Sequence, residues 1–157
     1  MTPPISPDRF RALCGHFTTG VTIVTTIDAD GNPCGMTANS FASISLDPPL
    51  ISVAVDHAAT IYPAMRAGSC FTVNILDARQ EALSRRFAGG IDDRFDGVAW
   101  QRINDQVIVT GALAHLCCDK WAEIPAGDHT IFVGQVISGD TNESGKPLVH
   151  YRSTYVE

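Results

Sequence analysis

The residue types best suited to holding a ligand are concentrated in one run. Gly35-Met-Thr-Ala-Asn-Ser-Phe-Ala-Ser-Ile-Ser45 carries Thr37, Asn39, Ser40, Ser43 and Ser45 where a core strand would ordinarily be apolar. Read as one extended strand, its two-residue side-chain period puts Thr37, Asn39, Ser43 and Ser45 on one face with Phe41 between them. Such a face is either a solvated barrel strand or a polar cradle for a ligand rich in hydrogen-bond acceptors. The segment alone leaves both open.

Other chemistries lack their residues. The histidines at 16, 57, 115, 129 and 150 form no HxxxH or HExxH pair, and no cysteine stands at ligand spacing from one, so no metal centre is expected. Gly145-Lys146 runs into Pro147 and a strand, so it is not a phosphate loop opening a helix. Neither GxSxG nor GxGxxG occurs, which removes the hydrolase elbow and the dinucleotide fingerprint. Cys117 and Cys118 are neighbours in a strand, point to opposite faces, and read as packing residues rather than a redox pair.

The elements that must position the polar run are mostly strands. Ser6-Pro7 starts a short helix whose apolar face is Phe10, Leu13, Cys14 and Phe17, with Gly20 ending it. β-Branched residues predict a strand over 21–27, and Asp28 to Pro33 a hairpin-type turn with Gly31 at positive φ. Further strands are expected at 50–55, 70–76, 107–110, 112–123, 130–138 and 148–155. A helical turn is expected over 60–66, and a helix over 78–87 capped by Asp77. Residues 89–97 are polar and glycine-rich, a loop or lid. About seven strands with only short helices predict a closed or nearly closed antiparallel barrel. The strands at 50–55, 70–76 and 130–138 are apolar on both faces, so something must cover the barrel's outside.

Length and charge bound the rest. A chain of 157 residues fits one domain, expected over 1–157, and 45% apolar with 18% charged residues excludes disorder. A net charge of −6 argues against a nucleic-acid or anionic-membrane binder. No apolar run approaches the roughly 20 residues of a membrane span, and no secretory signal opens the chain. Five cysteines without CxxC spacing predict reduced thiols and a cytoplasmic location.

Read together, several segments resemble the flavin reductase-like family, the small reductase components of two-component flavin-dependent monooxygenases. The resemblance rests on Phe17-Thr-Thr-Gly-Val-Thr-Ile-Val-Thr-Thr26, Gly35 to Pro49, Phe71 to Leu76, Leu83-Ser-Arg-Arg-Phe-Ala-Gly89, Gly127-Asp-His-Thr-Ile131 and Pro147-Leu-Val-His-Tyr151, in the family's order. It implies a mainly β fold, a flavin-binding split β-barrel with a few short peripheral helices, usually a homodimer. It also implies hydride transfer from NADH or NADPH to FMN or FAD, and delivery of reduced flavin to a partner oxygenase.

By that resemblance, Met36, Thr37, Ala38, Asn39 and Ser40 lie along the flavin ring. Ser43 and Ser45, with Arg85 or Arg86 from the helix, serve its phosphate, and Phe87 belongs to the same helix motif. Asp56, His57 and Thr60 fall where relatives have further flavin contacts. His129 and Tyr151 fall near the nicotinamide, with His129 the one residue given a catalytic role and Asp128 its possible orienter. Two alternatives stay open: a flavin-binding or storage protein without NAD(P)H activity, and a reductase whose acceptor is not flavin.

Overall fold

The computed structural model describes residues 1–157, and strands dominate it. In chain order these are β1 (Thr19–Gly20), β2 (Thr22–Ile27), β3 (Pro33–Ala38), β4 (Ala42–Leu46), β5 (Pro49–Asp56), β6 (Cys70–Ile75), β7 (Trp100–Ile103), β8 (Gln106–Val109), β9 (Ala114–Ala126), β10 (His129–Thr141), β11 (Val149–Tyr151) and β12 (Thr154–Val156). Three helices accompany them: α1 (Pro7–Cys14), α2 (Tyr62–Ala67) and α3 (Glu81–Ala88). A single 3-10 turn, Ala78–Gln80, precedes α3; Asp77 caps it and closes a capping box with Gln80.

Seven strands form one antiparallel sheet in the order β3-β2-β6-β9-β10-β5-β4. Its two edge strands, β3 and β4, are consecutive in the chain and joined only by Asn39, Ser40 and Phe41. In a flat sheet six inter-strand steps would hold those edges about 29 Å apart. Four residue steps reach at most about 14 Å. The sheet must therefore curl until its edges nearly meet, a barrel with a split spanned by residues 39–41.

The barrel interior is filled by Val24, Ile51, Val53, Val55, Phe71, Val73 and Phe132, all buried. Burying side chains of this kind stabilises the fold by about 1.5–3 kcal/mol each. A second core lies outside the barrel wall, where Ile23, Leu76, Phe87, Phe95, Val107, Val109 and Leu148 pack under α3 and the β7–β8 hairpin. Polar residues are buried between the wall and that hairpin because each finds a partner. The Asn74 amide donates to Ile23 C=O and accepts from Val109 N–H, while Thr72 donates to Gln106 Oε1.

Three expectations are corrected. The polar run 35–45 is not one strand but two, β3 and β4, at opposite edges of the sheet. α1 stops at Cys14, so Phe17 is not on its apolar face, because Thr19–Gly20 leaves as β1 to pair with β11. The segment 148–155 is a hairpin, with Arg152 and Ser153 at positive φ between β11 and β12. β7 was not expected from the sequence.

Candidate active site at the barrel split

β3 is an edge strand, and its free edge faces the split. The carbonyl of Gly35 accepts from Arg94 Nη1 at 2.8 Å, so it points away from β2. Two residues on, strand alternation sends the N–H and C=O of Thr37 to the same open edge. That edge offers a ligand one donor and one acceptor side by side. Its side chains divide: Met36 and Ala38 turn into the barrel core, whereas the Thr37 hydroxyl donates to Ser84 C=O on α3 at 2.6 Å.

Across the split, Ser40 stands in for a missing strand partner. Its hydroxyl accepts from Ala54 N–H at 3.0 Å and donates to Ala54 C=O at 3.2 Å. The expected four-residue polar face does not form. Asn39 lies in the link, and a bulge between Ser43 and Ser45 pairs them with Ile51 and Leu50, which sit on opposite faces of β5.

A groove of about 530 Å³ opens beside the link, lined by residues 17–22, Asn39 to Phe41 and Ile75. None of its lining residues is charged. Phe17 stands 79% exposed at this groove. Thr19 Oγ1 is buried there without a hydrogen-bond partner, the only such side-chain atom in the chain. Two aromatics, an orphaned hydroxyl and the neighbouring free strand edge suit a planar, acceptor-rich heterocycle, and the volume falls within the usual ligand range of about 300–1,000 Å³.

A second polar cluster sits two residues further along β5. Asp56 pairs with His129 in the β5–β10 ladder, so it lies about 7 Å along the strand from Ala54, where Ser40 is pinned. His129 Nδ1 donates to Asp128 Oδ1 at 2.7 Å, which leaves Nε2 as the outward nitrogen. That hydrogen bond, and then the imidazole charge, hold the Asp128 carboxyl below its usual range. The backbone N–H of His57 donates to Asp128 C=O at 3.0 Å. The His57 ring meets Thr130 Oγ1 at 3.0 Å, and Tyr62 OH meets the same oxygen at 3.1 Å while accepting from Arg66. Those bonds, Thr130's first, lower the Tyr62 phenol.

The remaining residues expected at the site are dispersed. Arg85 lies on the exposed face of α3, ion-paired to Glu81 at 2.7 Å and over the Tyr155 ring. Arg86 donates to the carbonyls of Asp93, Arg94 and Asp96, so its guanidinium is spent on the 90–97 loop. Phe87 is 1% exposed and packs on Phe95 in the outer core, which keeps its ring from any ligand at the split. Thr60 lines a different cavity, of about 780 Å³, with Asp28, Asp92, Asp93 and Asp96. Tyr151 rests edge-on against His16 beside β1.

Residue reading missed Thr19, Tyr62, Thr130 and Arg94. Thr19 and Thr130 stood inside motifs of the resemblance without a role, Arg94-Phe95 repeats Arg86-Phe87 within the polar loop, and Tyr62 had no signal.

Known proteins share this fold and much of this sequence. A family model described as the flavin reductase like domain matches residues 14–157. A flavin reductase of Pseudomonas putida is 36% identical over 152 residues, covering 96% of this chain and 89% of that protein. The reductase subunit HsaB of a flavin-dependent monooxygenase from Rhodococcus jostii (strain RHA1) is 38% identical, covering 96% and 77%. Among solved structures, the NADH:FAD oxidoreductase SgcE6 of Streptomyces globisporus, in complex with NAD and FAD fragments, superposes with a TM-score of 0.91 at 35% identity, covering 99% of this chain and 96% of that one.

Proposed function

This chain belongs to the flavin reductase-like family, and on that premise we propose that it oxidises NADH with a flavin, FMN or FAD, bound at the barrel split, and releases reduced flavin to a partner oxygenase. The observation that carries this reading is the adjacency along β5. An uncharged groove beside the free edge of β3 reaches Ser40, whose partner Ala54 stands two residues along β5 from Asp56, opposite the His129 that pairs with Asp128.

The flavin, when bound, supplies the hydride-accepting chemistry; the chain's residues bind and orient. The open edge of β3, at Thr37, holds the polar edge of the ring, and Phe17 and Phe41 provide apolar walls. Asp128 holds the His129 imidazole in one tautomer, and the outward Nε2 is the group that meets the nicotinamide end of the dinucleotide. Catalysis is then mostly alignment, since hydride transfer needs the two rings about 3–3.5 Å apart. Of the two arginines expected at a flavin phosphate, Arg85 is the one whose guanidinium is exposed.

The active unit is a homodimer in this reading. The outer faces of β5, β9 and β10 carry no helix, and Trp121, Ile124 and Ile137 are each about half exposed there. An apolar surface of this kind marks an interface. The five cysteines are all unpaired, which fits a reducing cytoplasm.

Steady-state NADH oxidation with and without added FMN or FAD tests the activity. Flavin-dependent turnover is expected; flavin binding without NADH oxidation would leave a carrier protein. Light scattering should give about twice the 16.8 kDa chain mass, and a stable monomer would remove the dimer.

A further inference from the structure

Arg86 and Arg94 form a double clasp. Arg86 reaches from α3 to three carbonyls of the 93–96 segment, one of them Arg94's own, at 2.7 Å. Arg94 reaches back, donating to Gly89 C=O at 2.7 Å and Gly35 C=O at 2.8 Å. Phe95 anchors the segment between them, 9% exposed and edge-on to Phe87. The far end of this chain of contacts is the free edge of β3, two residues before Thr37.

An unpaired strand edge has no neighbouring strand to fix its height or tilt. At Gly35 the guanidinium takes the neighbour's place. At Gly35 β3 also runs tight against α3: a Cβ there would stand 3.0 Å from the Phe87 ring. The edge is thus pressed from one side and tethered from another at one residue.

We infer that Arg94 is a positioning residue for flavin binding: by tethering Gly35 it sets where the Thr37 N–H and C=O stand, and Arg86 acts through it by holding its loop. The inference rests on the reading of the split as the flavin site. It gives the Arg86 position a role that does not involve phosphate.

Flavin KM and kcat are measured with FMN and with riboflavin for the parent, Arg94→Ala, Arg94→Lys and, as a packing control in the same outer core but outside the 90–97 loop, Val107→Ala, beside melting curves and spectra of bound flavin. Arg94→Ala should raise the flavin KM about ten-fold for FMN and riboflavin alike, because misplacement of a hydrogen-bonding edge costs affinity irrespective of the phosphate. Its kcat at saturating flavin and its KM for NADH should change less than two-fold, and the bound-flavin spectrum should shift. Arg94→Lys, able to reach one carbonyl, should recover part of the loss, and it carries the same test should the alanine variant not fold. Val107→Ala should lower the melting temperature with flavin KM unchanged.

An unchanged flavin KM in folded Arg94→Ala overturns the inference. So does a loss confined to FMN, which would make Arg94 a phosphate reader, or an equal loss in Val107→Ala, which would make the effect one of outer-core packing. A parent that binds no flavin overturns the reading of the split itself, and the inference falls with it.

Discussion

The groove at the split and the cavity beside the 90–97 loop rank oppositely by size and by chemistry. The cavity is larger, about 780 Å³ against 530 Å³. Its walls carry Asp28, Asp92, Asp93 and Asp96, and its one lining arginine, Arg94, is committed to two carbonyls. A flavin phosphate or a dinucleotide would meet net negative charge there with no free cation to offset it. The groove has no charged lining residue and an orphaned hydroxyl, and it begins at Asn39, directly after the free edge of β3. Volume marks where something fits. Unsatisfied polar groups mark what the fold left for a ligand to complete.

The largest expected effect comes from filling each hollow in turn. Gly20 lines the groove and Gly90 the cavity, and a Cβ added at either meets nothing within 4 Å. Gly20→Leu should raise the flavin dissociation constant about a hundred-fold, since the ligand must displace a leucine side chain at about 3 kcal/mol. Gly90→Leu should leave it within two-fold. Titrations of both variants with FMN check this, and the reverse ranking would move the flavin to the acidic cavity.

His129→Ala comes next. Stopped-flow reduction by NADH should slow about ten-fold while flavin affinity stays within a few-fold, because the ring sits on β10 rather than in the groove. Parental reduction kinetics would remove His129 from the nicotinamide side.

The two neighbouring arginines should separate by about three-fold effects. Arg85→Ala should weaken FMN and spare riboflavin, a modest loss because the side chain is exposed and already paired with Glu81. Arg86→Ala should weaken both flavins alike and lower the melting temperature. Equal behaviour of the two variants would contradict the division of labour that the clasp imposes.

The smallest effect is on acid stability, and it tells the fold apart from both hollows. Asp77 caps the turn before α3, and its bonds to Arg79 lower its pKa from 3.8 to about 2. A carboxylate favoured in the folded state adds stability above its unfolded pKa and loses it as pH falls through the folded value. The melting temperature should therefore drop between about pH 4 and pH 2, and Asp77→Asn should flatten that part of the curve while lowering stability at neutral pH. A melting temperature that stays level across that range would show that the Asp77 cap contributes nothing to the fold's stability.

The sequence itself determined the strand content, because β-branched runs such as Val21 to Ile27 and the apolar segments at 50–55 and 70–76 carry their conformation locally. It determined the helix start at Ser6-Pro7 and the Asp77 cap, each a bond between near neighbours. The family, too, was legible, since its motifs are linear and keep their order. Only the tertiary structure decided what the polar residues do. The run 35–45 alternates like one strand, yet curling of the sheet put its halves on opposite edges and left Asn39 to Phe41 bridging them. Arg85 and Arg86 are equivalent as letters, but α3 turns one to solvent and the other onto three carbonyls of a loop whose path no local rule sets. Thr130 and Tyr62 lie 68 residues apart and meet only because β10 pairs with β5 beside α2. A side chain's partner across such a distance depends on register and closure, which depend on the whole chain at once, whereas propensity and capping depend on a few residues.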